Sequence, residues 1–178
     1  MTQHEYIFIA VSIILGLAIT RLLHTAAMIT RAHDRVIFHW SSALWAFSVL
    51  IFILQLWWVG WGLRIIEDWT FIDFMVLVFG SIFIYGAAEM ALSAPEEEID
   101  MLEESQQFGR LSALFMLLYF LVGPYVNIVM YSRPLLPSLV FPSVGIILMM
   151  LVIVFPNRFK FLSLFFALYS LLILLVTV

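Results

Sequence analysis

An all-α bundle of six membrane-spanning helices is the fold this sequence predicts, and three observations predict it. Hydrophobic residues make up 65% of the 178 and charged residues 11%, with a mean hydropathy of +1.12, a composition outside that of soluble domains. Apolar stretches near the ~20 residues that cross ~30 Å of hydrocarbon as a helix recur along the chain. They fall at 6–28, 36–61, 70–92, 108–131, 134–155 and 158–178, and the one long polar run, 93–107, lies between the third and fourth. The chain 1–178 therefore reads as a single transmembrane domain.

The same composition excludes several classes. Eight Lys and Arg against a net charge of −4 cannot assemble the basic face that nucleic acid requires. The absence of cysteine removes thiolate catalysis, disulfide exchange and Cys-based metal centres. Neither G-x-S-x-G nor H-E-x-x-H occurs, so no catalytic residue, metal or cofactor is assigned. The environment expected is the lipid bilayer of a cytoplasmic membrane.

Ahead of the first span, MTQHEY has neither the basic start nor the A-x-A site of a cleaved leader, so that span is expected to stay. Within it Ser12, Gly16 and Thr20 recur every four residues and form one small-residue stripe, suited to close packing against a helix of this chain or of a second copy. A homo-oligomer is expected on that ground. Arg21 follows the stripe, and a guanidinium inside a hydrocarbon span costs on the order of 2.5–3.5 kcal/mol, so it should meet an anion or reach water.

Span two places Ser41, Trp45, Ser48, Phe52 and Gln55 on one helical face, expected to turn toward protein. Trp57, Trp58, Trp61 and Trp69 flank the next turn as an interfacial belt would. After span three, Ser93 and Glu96 have capping-box spacing and Pro95 suits a first turn, which predicts a short acidic cytoplasmic helix leading into span four. Glu96, Glu97 and Glu98 there form a candidate docking surface for a protein partner, against the plainer reading of a solvated face.

Gly123-Pro124 predicts a kink in span four. Pro134, Pro137, Pro142 and Gly145 leave span five open between a kinked helix and a re-entrant segment. No motif is shared between spans one to three and four to six. Arg31, Arg35, Arg110, Arg158 and Lys160 fall on one side and Arg64 and Arg133 on the other, which predicts both termini outside.

Depth arithmetic then suggests two polar sites. Arg21 lies 15 residues beyond Tyr6, or ~22 Å along a helix, and Glu89 lies 19 beyond Thr70, or ~28 Å along a helix running the same way. With His24 and Thr25 they form a candidate inner polar site. Gln55, Asp73 and Asn127, near Arg133, form a candidate outer one. Intramembrane polar steps without a catalytic motif point to a channel or transporter for an ion or small polar solute. The alternatives are a non-catalytic membrane subunit or sensor that binds a partner, and a redox protein with His24 and His39 ligating haem.

Overall fold

A computed structural model describes residues 2–95 and 98–177. Its class is all-α, and six helices are long and apolar enough to cross a membrane. They are α1 (Gln3–Arg31), α2 (Trp40–Gly62), α3 (Phe71–Glu89), α4 (Met101–Tyr125), α5 (Leu135–Val154) and α6 (Phe159–Thr177). The helices neighbour one another around a closed ring in the order α1, α3, α4, α5, α6, α2, and α2 also leans inward onto α3. The seams between α1 and α2 and between α5 and α6 are the thinner ones. Both chain ends lie on one face, and the loops α1–α2, α3–α4 and α5–α6 on the opposite face.

Local chemistry starts the helices. Thr2 with Glu5 and Thr70 with Asp73 form reciprocal capping boxes at α1 and α3, and Asp100 accepts from the backbone N–H of Leu102 at 2.8 Å to start α4. His39 caps α2, its Nδ1 accepting from the Ser41 N–H. This cap delays α2 to Trp40, four residues beyond the expected start, because Val36–Ile37 is extended and pairs in parallel with Ile99–Asp100. These two-residue strands, β1 and β2, tie the α1–α2 loop to the α3–α4 loop.

Two expectations meet the structure here. The short acidic helix is not shown as expected: among the described residues Ser93–Pro95 and Glu98 are not helical, Glu103 and Glu104 stand in the first turn of α4, which runs unbroken from Met101, and Glu96 and Glu97 lie outside the described residues. Pro95 is buried and lies outside any helix. Span five is one continuous helix, with Pro142 inside it facing Gly123 of α4.

The small-residue stripe of α1 also fails as an internal contact. α1 buries Ile7, Val11, Leu15, Ala18, Leu22 and Thr25, whereas Thr20 is exposed and a Cβ on Gly16 would meet nothing within 4 Å. Thr20 instead bonds back to the Gly16 carbonyl at 2.8 Å.

Close approach in this bundle is made by aromatic rings seated on glycines elsewhere. Phe120 lies over Gly145, Phe159 over Gly109 and Phe115 over Gly86, so that an added Cβ would fall 2.8, 2.7 and 2.6 Å from the nearest ring atom. Phe120 cannot retreat, because it is 4% exposed and stands edge-on to Phe52 at 5.1 Å and to Tyr169 at 5.8 Å. Gly145→Ala should therefore destabilise the bundle by about 1–2 kcal/mol, overpacking at the ring outweighing the ~1 kcal/mol that alanine gains in helix propensity. Denaturant unfolding in mixed micelles checks it, and a stabilised variant would show that α4 and α5 can part freely.

Candidate functional site

Of the two polar sites expected from depth, the structure assembles each only in part. On the side opposite the termini, Arg21 Nε lies 2.9 Å from Glu89 Oε1, the two side chains 35% and 29% exposed. The contact is one of charge, since no acceptor lies along the Nε–H direction. Glu89 is the last residue of α3, where a carboxylate opposes the helix dipole, and Arg21 offsets that repulsion. The Tyr85 hydroxyl reaches the other carboxylate oxygen at 3.5 Å. Thr25 is buried one turn along α1, while His24 is exposed and makes no polar contact among the described residues, so it stands outside the pair. His39 is occupied as the cap of α2, its ring 5.6 Å from Trp40.

A buried polar clasp that sequence reasoning missed lies beside this pair. Ser105 donates to Ser42 at 2.6 Å and Ser42 to the Met101 carbonyl at 2.8 Å. The Trp45 indole donates to Ser112 at 2.9 Å, and Ser112 to the Ala87 carbonyl at 2.8 Å. Ser41, Trp45, Ser48, Phe52 and Gln55 are all buried, so this face of α2 meets protein throughout.

On the termini side, Gln55, Asn127 and Arg133 line one cavity of about 280 Å³ between α2, the end of α4, α5 and α6. Asp73 does not join them. It is held at the start of α3 by Thr70 and by the Tyr125 hydroxyl at 2.8 Å, on the far flank of α4. Gln55 donates to Thr177 at 2.7 Å, and Arg133 Nη1 donates to the Asn127 side-chain oxygen at 3.4 Å. Ser138, Tyr169 and the prolines of α5 complete the lining.

The backbone around this cavity is irregular because a proline interrupts its hydrogen bonding. Pro124 lies in the last turn of α4 and can donate no N–H to it, and the next five residues, Val126–Met130, are wound as a π-helix. Asn127 donates its side-chain amide back to the Gly123 carbonyl at 3.0 Å, and its own carbonyl takes the backbone N–H of Arg133 at 2.9 Å. Ser132 between them has φ 51°, the one non-glycine residue with positive φ among the described residues. Such a conformation costs on the order of 1–3 kcal/mol and persists where the surroundings impose it, most often at functional sites. Here it swings Arg133 back over the mouth of the cavity, with its guanidinium 4.8 Å from the Tyr131 ring. Pro124 and Asn127 were the sequence signal for this corner, and nothing in the residue types announced Ser132.

Beneath the cavity the interior closes. Phe52, Phe120 and Tyr169 form its floor, and Phe166 and Trp45 pack behind them with centroids 4.6 Å apart. Trp45 and Phe166 are 0% exposed, so this layer is packed shut where they stand. Compared with known proteins, the chain matches no family model, no curated protein and no solved structure.

Proposed function

We propose that this is an integral membrane carrier that takes a small solute into the termini-side cavity and releases it past the aromatic layer to the other side. The observation that carries this reading is the convergence of Gln55, Asn127, Arg133 and Thr177 on a cavity of about 280 Å³ beside a π-wound, strained corner. Its size is at the small end for ligand sites. The closed floor argues for a carrier over a channel, because polar groups on both sides of a dry layer suit alternating access and an open pore would need a wet path.

Membrane residence is supported by the outward faces, which carry large exposed side chains such as Leu136, Ile147, Phe165 and Leu175. The Lys and Arg bias supports termini outside a cytoplasmic membrane. Trp57, Trp58 and Trp61 stay exposed on the termini face, as headgroup anchors would. The stripe Ser12/Gly16/Thr20, half-buried at Ser12 and Gly16 and exposed at Thr20, leaves a helix face for a second copy, and Glu98 and Glu103 leave an acidic surface for a basic partner. The carrier reading needs neither.

Because the chain lacks cysteine, access can be read one position at a time. A Ser138→Cys variant should react with an impermeant thiol reagent added outside intact cells. A Ser112→Cys variant, beyond the aromatic layer, should react only from the cytoplasmic side of inverted vesicles, slowly, as the layer opens. Unitary ion currents in planar bilayers, or Ser112→Cys inert from both sides over hours, would count against a carrier.

A further inference from the structure

We infer that the ligand of the termini-side cavity is a small organic anion, a carboxylate carried on an apolar body; this rests on the carrier reading and names its substrate class. Arg133 is the one charged side chain lining the cavity among the described residues. No carboxylate among the described residues pairs with it. Its neighbours are one amide oxygen at 3.4 Å and the face of Tyr131, neither of which neutralises a guanidinium. Asp73, the carboxylate that the sequence groups with this site, is committed to Thr70 and Tyr125.

A guanidinium held in place by a strained turn, with most of its fork unspent, presents the planar donor pair that binds a carboxylate in two parallel hydrogen bonds. Beyond it the walls are Phe52, Phe120, Phe141, Ile173 and the prolines, which accept an aromatic or aliphatic body and offer no second cation for a dianion. The Asn127 contact also fixes polarity: its oxygen holds the guanidinium at the mouth, so the anionic head stays outermost and the apolar body enters first. Such an anion can arrive from water or, as a lipid, along the thin α5–α6 seam.

The test is a series with one body and three heads, benzoate, benzyl alcohol and benzylamine, titrated against the purified full chain in neutral detergent. Benzoate should bind roughly tenfold or more tighter than benzyl alcohol, with benzylamine weakest. Arg133→Gln should bring the three within about twofold, while Arg64→Gln, on the same face but outside the cavity, should leave the series unchanged. A lipid source is read in phosphatidylcholine nanodiscs: added oleate, a carboxylate on an apolar body, should stabilise the parent protein but not Arg133→Gln, with benzoate competing. Benzyl alcohol binding as tightly as benzoate would overturn the anion assignment and leave the cavity a solute site. If no member of the series binds and oleate leaves the stability unchanged, the carrier reading falls with it.

Discussion

Replacing Trp45 by alanine should lower the stability of the bundle by about 3–5 kcal/mol, the largest loss expected from any single side chain here. Trp45 is fully buried, with its ring 5.2 Å from Phe159 and 4.6 Å from Phe166, and its indole reaches across to Ser112 of α4, which in turn holds the Ala87 carbonyl of α3. One side chain thus joins α2 to three other helices. In a bilayer, helices gain nothing by hiding apolar surface from lipid tails, so their association rests on such packing and on interhelical hydrogen bonds. Trp45→Phe keeps most of the packing and loses the hydrogen bond, and should cost only about 0.5–1.5 kcal/mol. Reversible unfolding in mixed micelles separates the two. Equal losses would assign the effect to the hydrogen bond and leave the aromatic layer energetically idle. The same substitution opens the layer beneath the cavity, so W45A proteoliposomes should leak small ions that the parent retains.

How much of this was legible in the sequence differs by kind of information. Depth along a helix is readable, because 1.5 Å per residue counts from either interface. Arg21 and Glu89 therefore read as lying at similar depths, and the structure has them 2.9 Å apart. Azimuth is not readable in the same way. A soluble helix announces its inward face by hydrophobicity, but where the solvent is lipid both faces are apolar, and the buried set of α1 from Ile7 to Thr25 looks no different from its exposed Ile9, Ile13 and Leu17. That is why Ser12, Gly16 and Thr20 suit a contact within the chain and one with a second copy equally well on sequence, and α1 does not make the first. It is also why Asp73 was grouped with Gln55 and Asn127: their depths agree, but no residue of α3 lines the cavity.

The remaining surprises are non-local. The β1–β2 pair exists because the ring of helices brings two loops together on one face, and no propensity in Val36–Ile37 or Ile99–Asp100 names the partner. Ser42, Ser105 and Ser112 read singly as hydroxyls that bond back to their own helices, as Ser48 does to the Leu44 carbonyl. They become a clasp only because α2, α3 and α4 meet at these heights.

Removing either partner of the Arg21–Glu89 pair should destabilise the protein by about 2–3 kcal/mol, between the small worth of an exposed pair and the 3–5 kcal/mol of a fully buried one. The intermediate figure follows from side chains about one-third exposed, with the reacting Nε itself shut away. Arg21→Met leaves Glu89 alone at the C-terminal end of α3, where the helix dipole adds to its cost; Glu89→Gln leaves a guanidinium on the flank of α1. The two losses should therefore be similar, with Arg21→Met the worse by a few tenths of a kcal/mol. In the double variant both charges are gone, so much of the loss should return, and the coupling read from the cycle should exceed about 1 kcal/mol. Flux then sorts structure from function. Recovered stability with lost solute exchange makes the pair part of the route on the far side of the aromatic layer, whereas recovered stability with intact exchange makes it a brace between α1 and α3. Single losses below about 0.5 kcal/mol, the range of ordinary surface substitutions, would mean that both groups are solvated independently and that the 2.9 Å contact carries no coupling.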